Sequence, residues 1–373
     1  MKVLIVTPWF PSETFPISGT FIAEQARALA QVHDVRVLFP EVVPDGTQKY
    51  RQTATKDSYD VVRIGVPARR LFHQIDYSTA IAREVKDHGS DVIHAHVTVP
   101  AGFSSVLAGK FSGVPVVITE HRGPFAALFS TPRDKRKVRF ALNKASAVIA
   151  VSSSLAREIK QEAEITREIE VIPNVVDTER FRPSANNNNG HSERDFRLVF
   201  TGRVDDENKC LSTLLRALKI LREKSDARYN LRVIGEQSES RESEKIARDL
   251  GLDDWCEFMG PLGPNDLARE LNASDVFVLP SRLETFGVVA AEAIATGKPV
   301  VATRCGGPED FVNEETGWLV PVDSDVGLAE GISEVCRKLS AYPAERLAAY
   351  AREKFGFEKV VNQLTRIYES VTR

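Results

Sequence analysis

The sequence predicts an α/β protein made of two successive doubly wound units, each a parallel sheet covered by helices. Two alternating series of apolar, strand-like runs and helical segments predict this fold class, one series in each half of the chain. A polar segment separates the two series, and the length of 373 residues exceeds what a single core usually organises.

The first series contains five strands that we expect to be buried and parallel, because each run is apolar throughout rather than alternating. These runs are residues 3–7, 35–39, 92–94, 116–119 and 147–151. A helical pattern at residues 21–31 follows the first of them. The second series has strands at residues 197–201, 230–235, 276–279 and 299–303, with helices near 211–224 and 242–249.

Residues 184–195 mark the boundary between the two series. Four consecutive asparagines, a glycine and charged residues there show no apolar periodicity, which predicts a surface linker; a recognition loop is the alternative. We place the first domain at residues 1–183, the second at 184–355, and a terminal helix at 356–373 that packs back toward the first domain. Parallel sheets bind ligands beyond the carboxyl ends of their strands, so we expect a cleft between two facing units.

Composition excludes several classes of protein. With 42% hydrophobic and 27% charged residues the chain reads as globular, and no apolar run approaches the roughly 20 residues of a membrane-spanning helix. A net charge of -3 gives no reason to expect a nucleic-acid partner. The four cysteines are far apart, without zinc-like spacing, which favours a reducing, cytoplasmic setting. They are Cys210, Cys256, Cys305 and Cys336.

The strongest chemical signal is a glutamate pair, Glu284 and Glu292, eight positions apart around the start of an alanine-rich helix. Thr285 is predicted to cap this helix, and the first-turn amides of Phe286, Gly287 and Val288 would form an anion site suited to a diphosphate. Glu292 lies among buried residue types and therefore needs a partner, for which a ligand hydroxyl is the best candidate. The alternative is an ordinary charged residue paired with a lysine.

A second signal follows the strand that ends at Thr201. Gly202, Arg203 and Val204 stand there, and Lys209 comes six residues after Arg203. Arg203 can bind a diphosphate oxygen through its fork, while Lys209 adds a point charge, so the two together would replace a metal ion. The alternative is a surface cluster that balances neighbouring carboxylates.

These positions, taken together, resemble glycosyltransferase family 4. The family's Glu-x7-Glu motif corresponds to Glu284 and Glu292, and its Gly-Arg-hydrophobic…Lys motif corresponds to Gly202 through Lys209. The family's hinge resembles residues 172–177, and its Gly-Gly loop resembles residues 306–309. Departures are Val175 and Cys210, which stand where the family often has glycine.

The resemblance implies a GT-B fold and a metal-independent, retaining transfer of a hexose or N-acetylhexosamine from a nucleotide sugar. UDP is the preferred donor nucleotide and GDP the second choice; the nucleotide sugar is a substrate, and no cofactor is expected. The acceptor would be a hydroxyl of a glycan, a lipid-linked saccharide or a small molecule, as in polysaccharide biosynthesis.

Roles for individual residues also follow from the resemblance. Arg203 and Lys209 would bind the donor diphosphate, Glu292 the ribose, and Glu284 with the backbone of residues 285–288 the transferred sugar and phosphates. A loop at Met259 and Gly260 would touch the base. In the first domain the resemblance implies that Gly19 faces the diphosphate and that His121 lies near the donor sugar, with a structural histidine as the alternative for His121.

Three further patterns have competing interpretations. His94 and His96 could share a metal, but no third ligand stands at a recognisable offset. Asp323 and Asp325 resemble a metal-binding Asp-x-Asp motif, but they follow a predicted strand at residues 318–322 and precede a helix, so helix capping explains them better. A basic run could hold the first domain against anionic lipid at the inner face of the membrane, with a solvated helix as the alternative. The run consists of Arg133, Lys135, Arg136, Lys137 and Arg139.

Three functions other than sugar transfer are alternatives for this sequence. A nucleotide-sugar epimerase of the same fold would turn over donor without an acceptor, but the glutamate pair argues against it. A dinucleotide oxidoreductase would need a glycine fingerprint after the first strand, where Thr7, Pro8 and Trp9 stand instead. A nonenzymatic sugar-nucleotide-binding protein is the alternative from a different class.

Overall fold

The structure is a computed structural model that describes residues 1–12, 15, 17–43, 51–56, 58–67, 73–184, 195–204, 207–236 and 241–373. The chain folds as two units. Unit 1 comprises Met1–Val175 and Phe357–Arg373, and unit 2 comprises Val176–Gly356. Val176 belongs to unit 2, because its N–H donates to the carbonyl of Phe355 at 2.9 Å. The asparagine-rich segment, residues 185–194, lies outside the described residues.

Unit 1 contains an eight-stranded sheet in the order β3-β4-β2-β1-β5-β6-β7-β8, in which only β3 runs antiparallel to its neighbour. Its strands are β1 (Lys2–Val6), β2 (Asp34–Val43), β3 (Arg51–Lys56), β4 (Tyr59–Pro67), β5 (Val92–His96), β6 (Val116–Glu120), β7 (Ala147–Ala150) and β8 (Glu170–Val171). Its first five helices are α1 (Thr20–Leu29), α2 (His73–His88), α3 (Phe103–Ser112), α4 (Pro132–Lys144) and α5 (Ser153–Ala163). Every residue of β5 and β6 is buried, as expected for parallel strands covered on both faces.

Unit 2 contains a six-stranded, all-parallel sheet in the order β11-β10-β9-β12-β13-β14. Its strands are β9 (Asp195–Thr201), β10 (Arg228–Ile234), β11 (Cys256–Met259), β12 (Val276–Leu279), β13 (Val300–Thr303) and β14 (Gly317–Val320). Its helices are α6 (Leu211–Lys224), α7 (Glu242–Asp249), α8 (Pro264–Ala273), α9 (Val288–Ala295), α10 (Asp325–Arg337) and α11 (Ala344–Phe355). The strand order reverses between β9 and β12, and ligands of such sheets bind at this switch point.

The last helix, α12 (Phe357–Thr372), lies in unit 1. Val360, Val361, Leu364 and Tyr368 on one face of α12 are buried in the same apolar core as the first strand and first helix. Spacings of three and four residues place these side chains on one face, as the helical pattern from Phe357 predicts. Among the described helices, none is long and apolar enough to cross a membrane.

The apolar runs of the sequence all fall on observed strands, but four strands were not predicted. These are β3, β4, β8 and β11. β3 is a polar edge strand, β8 has only two residues, and β11 has four, with partly exposed side chains. None of these three has the continuous apolar run of a central parallel strand. Short helical turns at Thr98–Gly102, Phe125–Leu128, Gly307–Asp310 and Leu339–Ala341 complete the described structure.

Candidate active site

Two glycines bring the ends of β9 and β10 into contact in unit 2. A Cβ atom on Gly235 would lie only 1.8 Å from the carbonyl oxygen of Gly202, so a side chain there would collide with backbone. Gly202 N–H donates to the carbonyl of Ile234 at 3.0 Å. A Cβ on Gly202 would lie 3.3 Å from Cε of Lys209, so the lysine side chain extends over this glycine. Arg203 is exposed and forms no ion pair with any described residue.

Lys209 and Glu284 form the central polar pair of unit 2. Lys209 Nζ lies 2.5 Å from Glu284 Oε1, and Ser281 Oγ donates to the same oxygen at 2.7 Å. The side chains are only 25% and 12% exposed, so the pair is largely removed from water. Because β9 and β12 are neighbours, residues 75 positions apart in sequence meet at the switch point.

The backbone of Glu284 is held as firmly as its carboxylate. Its N–H donates to the carbonyl of Cys305 at 2.9 Å, and its own carbonyl accepts from Gly307 N–H at 2.7 Å. Glu284 and Gly306 form an isolated parallel bridge. The loop that contains Gly306 and Gly307 therefore fixes Glu284, and the carboxylate in turn fixes the Lys209 ammonium at the sheet edge.

The prediction that Thr285 caps α9 is wrong. The helix begins at Val288, and Gly287 occupies the cap position with a φ of 87°, a left-handed conformation that threonine adopts only with strain. Ala290 and Ala291 donate to the carbonyl of Gly287, and in the described part of the chain the N–H groups of Val288 and Val289 have no backbone acceptor. The amides that could bind an anion thus begin at the helix itself.

Phe286 precedes the cap of α9, and its side chain belongs to the core. It is 2% exposed, and its ring lies 5.3 Å from that of Phe311 and 5.6 Å from that of Phe355. A Cβ on Gly307 would lie 2.4 Å from Cα of Phe286, so only glycine permits this close approach. Glu292 is half-buried one turn into α9.

Met259 and Gly260 lie at the same edge of the unit 2 sheet, but Met259 is not in a loop as expected. It is the last residue of β11, and its carbonyl accepts from Gly235 N–H at 3.4 Å. Gly260 follows it and is exposed. Met259, Gly235 and Gly202 therefore lie in succession along the carboxyl ends of β11, β10 and β9.

In unit 1, three stacked histidines end two neighbouring strands. The rings of His94 and His96 stack at 4.4 Å, and those of His96 and His121 at 5.1 Å. His96 Nδ1 lies 2.8 Å from His121 Nε2, while His94 bonds to Tyr368 Oη at 2.6 Å and Thr119 Oγ1 at 2.7 Å. The C-terminal helix thus reaches the strand ends through Tyr368. Within the described ranges no three His, Cys, Asp or Glu side chains form a possible metal site.

Burial makes these histidines neutral at pH 7. Removal from water lowers the pKa of His94 and of His121 to about 3, and lowers the pKa of His96 well below its ordinary value. A charge on His94 would lower the pKa of His121 further, whereas the nearby Asn174 side chain, which can accept from the protonated ring, opposes the shift. His121 can therefore exchange hydrogen bonds with a neutral polar ligand, but it cannot supply positive charge to an anionic group at neutral pH.

Gly19 lies at the same edge of the unit 1 sheet as His121. It caps α1 with a φ of 66°, and a Cβ there would lie 2.3 Å from the carbonyl oxygen of Trp9. The ring of Phe21, two residues on, lies 4.8 Å from that of His121. Arg122, which no sequence motif singles out, places its guanidinium over the Trp9 ring at 5.4 Å. Its position directly after His121 was the available signal.

The structure also bears on the two remaining motifs. Ser324 caps α10 by accepting from Gly327 N–H at 3.0 Å, so the capping interpretation of Asp323 to Asp325 is confirmed. Asp323 pairs with Arg282 and Asp325 with Arg216, each at 2.8 Å.

The basic run lies on α4, where several of its charges are paired. Lys135 and Arg139 both pair with Glu164, and Lys137 lies 3.8 Å from Asp134. Arg133 and Arg136 are exposed and have no ion pair among the described residues.

Comparison with known proteins agrees with this geometry. Two family models match consecutive parts of the chain. Glycosyltransferase Family 4 matches residues 18–180, and Glycosyl transferases group 1 matches residues 181–354. N-acetyl-alpha-D-glucosaminyl L-malate synthase of Bacillus anthracis is 27% identical over 81% of this chain and 82% of its own. D-inositol 3-phosphate glycosyltransferase of Saccharomonospora viridis is 32% identical over 74% of this chain and 69% of its own.

A solved structure extends the agreement to the fold. Alr3699/HepE of Anabaena, solved in complex with UDP and glucose, has a TM-score of 0.75 at 19% identity, with 99% of this chain and 100% of that chain covered. The predicted fold class, two doubly wound α/β domains of the GT-B type, is confirmed.

Proposed function

Because the chain belongs to the family 4 glycosyltransferases, we propose that it transfers a hexose or N-acetylhexosamine from a nucleoside-diphosphate sugar, with retention of anomeric configuration and without a metal ion. UDP is the favoured donor nucleotide, with GDP second. The acceptor is a hydroxyl of a glycan, a lipid-linked saccharide or a small molecule.

The observation that carries this proposal is the Lys209–Glu284 pair at the switch point of unit 2. The carboxylate holds the ammonium in place before any ligand binds, so no reorganisation is needed when charge develops on the leaving diphosphate. The amides at the start of α9 add partial positive charge, and exposed Arg203 adds a fork that matches phosphate oxygens. Glu292 is assigned to the ribose hydroxyls, and Met259 with Gly260 to the base.

Retention is proposed from the resemblance to family 4, and same-face attack is preferred to a double displacement because the carboxylates that could serve as a nucleophile are already engaged. Glu284 bonds to Lys209 and Ser281. Glu120, at the end of β6, is fully buried and accepts three backbone N–H bonds, from Thr98, His121 and Arg122. The acceptor hydroxyl then attacks from the face that the diphosphate leaves, while neutral His121 bonds to the donor sugar.

The donor and acceptor choices draw on related proteins. UDP is bound by the solved Anabaena protein, which supports the donor preference. The two relatives are named for L-malate and for D-inositol 3-phosphate, which are both small anionic hydroxyl compounds. Such compounds therefore belong in the first acceptor panel, beside neutral sugars.

Contact with anionic membrane through α4 is also proposed, and rests mainly on Arg133 and Arg136. The other three basic side chains have carboxylate partners, which reduces the charge available to lipid. Flotation with anionic liposomes tests this contact. It should weaken when all five charges are reversed, and unchanged flotation would contradict the proposal.

The donor proposal is tested by thermal shift with UDP, GDP, ADP and TDP, each with and without EDTA. A ligand that binds only the folded chain raises its apparent stability. One nucleotide should give a clear shift that EDTA does not change and that Glu292→Ala removes. No shift with any nucleotide would contradict the proposal.

The two alternative functions are tested by donor turnover. Donor turnover without acceptor would favour an epimerase. Donor turnover lost in Glu284→Ala would exclude a nonenzymatic binding protein.

A further inference from the structure

The backbone at Arg122 is fixed by a buried carboxylate. Glu120 Oε1 accepts from the N–H groups of His121 at 2.8 Å and of Arg122 at 2.7 Å, and Oε2 accepts from Thr98 N–H at 2.8 Å. Glu120 is fully buried, and both of its oxygens are used by backbone amides. This network orients the chain at the carboxyl end of β6 without engaging the Arg122 guanidinium.

Trp9, which lies beneath that guanidinium, is fixed as well. Thr7 Oγ1 accepts from Trp9 N–H at 3.0 Å and donates to the Trp9 carbonyl at 2.8 Å, and Gly19 packs against the same carbonyl. The guanidinium carbon lies 5.4 Å from the centre of the Trp9 ring. A cation–π contact of this kind holds the cation through the aromatic face and does not consume its N–H donors.

Some other arginines of unit 1 use their donors on carboxylates. Arg51 forms two hydrogen bonds to Glu84, and Arg139 pairs with Glu164. Half-buried Arg122, in contrast, has no carboxylate within 4.0 Å in the part of the chain that the structure describes. It stands beside His121 at the strand ends, where doubly wound sheets bind ligands.

From this placement we propose that Arg122, supported by Trp9, is an anion-binding subsite of unit 1 that takes the phosphate or carboxylate group of the acceptor. The guanidinium fork matches both groups in bidentate geometry. The assignment to the acceptor rests on the proposed function, in which unit 2 supplies its own cations and helix amides for the donor diphosphate. The substrate class is therefore an acceptor that carries an anionic group close to its reactive hydroxyl.

The test uses Trp9 as a local reporter, because the chain has only three tryptophans. The full-length protein is labelled with ¹⁵N-tryptophan and titrated with inorganic phosphate and with L-malate at constant ionic strength, with and without saturating UDP. The Trp9 indole signal should shift saturably with both anions, with or without UDP. Arg122→Gln should remove the response, while Arg83→Gln, an exposed arginine on α2, should keep it.

The titrations distinguish an acceptor subsite at Arg122 from a donor site and from no anion site. An unresponsive Trp9 signal, or an Arg122→Gln variant that responds like the parent, would overturn the subsite. A phosphate response abolished by UDP would overturn the assignment to the acceptor, since the anion site would then belong to the donor. UDP binding by the same samples tests the proposed function separately. For an anionic acceptor, Arg122→Gln should raise KM by about 10- to 100-fold, the value of one charge-assisted hydrogen bond.

Discussion

Acidification is expected to destabilise unit 1 through its buried histidines. The pKa of His94 and of His121 is about 3 in the folded chain and 6.5 in the unfolded chain, so between these values the unfolded chain binds more protons. Stability therefore rises with pH in this window and is lost as pH falls below 6.5. At about 1.4 kcal/mol per pKa unit, each of the two costs about 2 kcal/mol on going from pH 7 to pH 5.

His94→Gln tests this magnitude. The variant loses hydrogen bonds to Tyr368 and Thr119 at every pH, but it should lose about 2 kcal/mol less than the parent between pH 7 and pH 5, because one depressed titration is gone. Hydrogen exchange of the β5 amides, corrected for intrinsic rates, reports the opening free energy of unit 1. Thr119→Val is the control, since it removes one of these two hydrogen bonds and should keep the parent's pH dependence. Equal pH dependence in parent and His94→Gln would refute the reasoning.

Three further predictions concern unit 2. Lys209→Met and Glu284→Gln should each weaken UDP binding by about 10- to 100-fold in calorimetry. The double variant should lose less affinity than the product of the two single losses, because the two side chains act as one pair. Binding free energies that are lost additively would contradict the pairing. Gly307→Ala should displace its loop from Phe286 and cost about 1–3 kcal/mol in urea denaturation, and a neutral result would contradict the close packing. Cys210 has a φ of 50°, so Cys210→Val should be less stable than Cys210→Gly by about 1–3 kcal/mol in the same assay, and the reverse order would contradict the strain.

The sequence predicted those elements whose residue types are compatible with only one kind of structure. Continuous apolar runs predicted the central strands of both sheets, because strands buried on both faces have no polar positions. It failed at β3 and β8, where the side chains are exposed and the apolar signal vanishes. It also failed at Thr285, since threonine and glycine are both common caps and only the left-handed φ at Gly287 decides between them.

The residues of the candidate site were easier to predict from the sequence than the contacts between them. Lys209 and Glu284 were both singled out, but their contact depends on the adjacency of β9 and β12, which local patterns do not encode. The same holds for the stacked histidines, whose neutrality follows from tertiary burial. Arg122 carries no motif, and only the three-dimensional structure shows that its guanidinium lies over Trp9 and pairs with no carboxylate among the described residues.

The anomeric configuration of the transferred sugar tests the central claim most directly. The donor selected by thermal shift is incubated with an acceptor panel that includes L-malate and D-inositol 3-phosphate, and the anomeric proton of the purified product is assigned by NMR. The proposed mechanism predicts that the product keeps the donor's anomeric configuration, with or without EDTA. An inverted product would contradict same-face attack and would require a general base that the proposal does not contain.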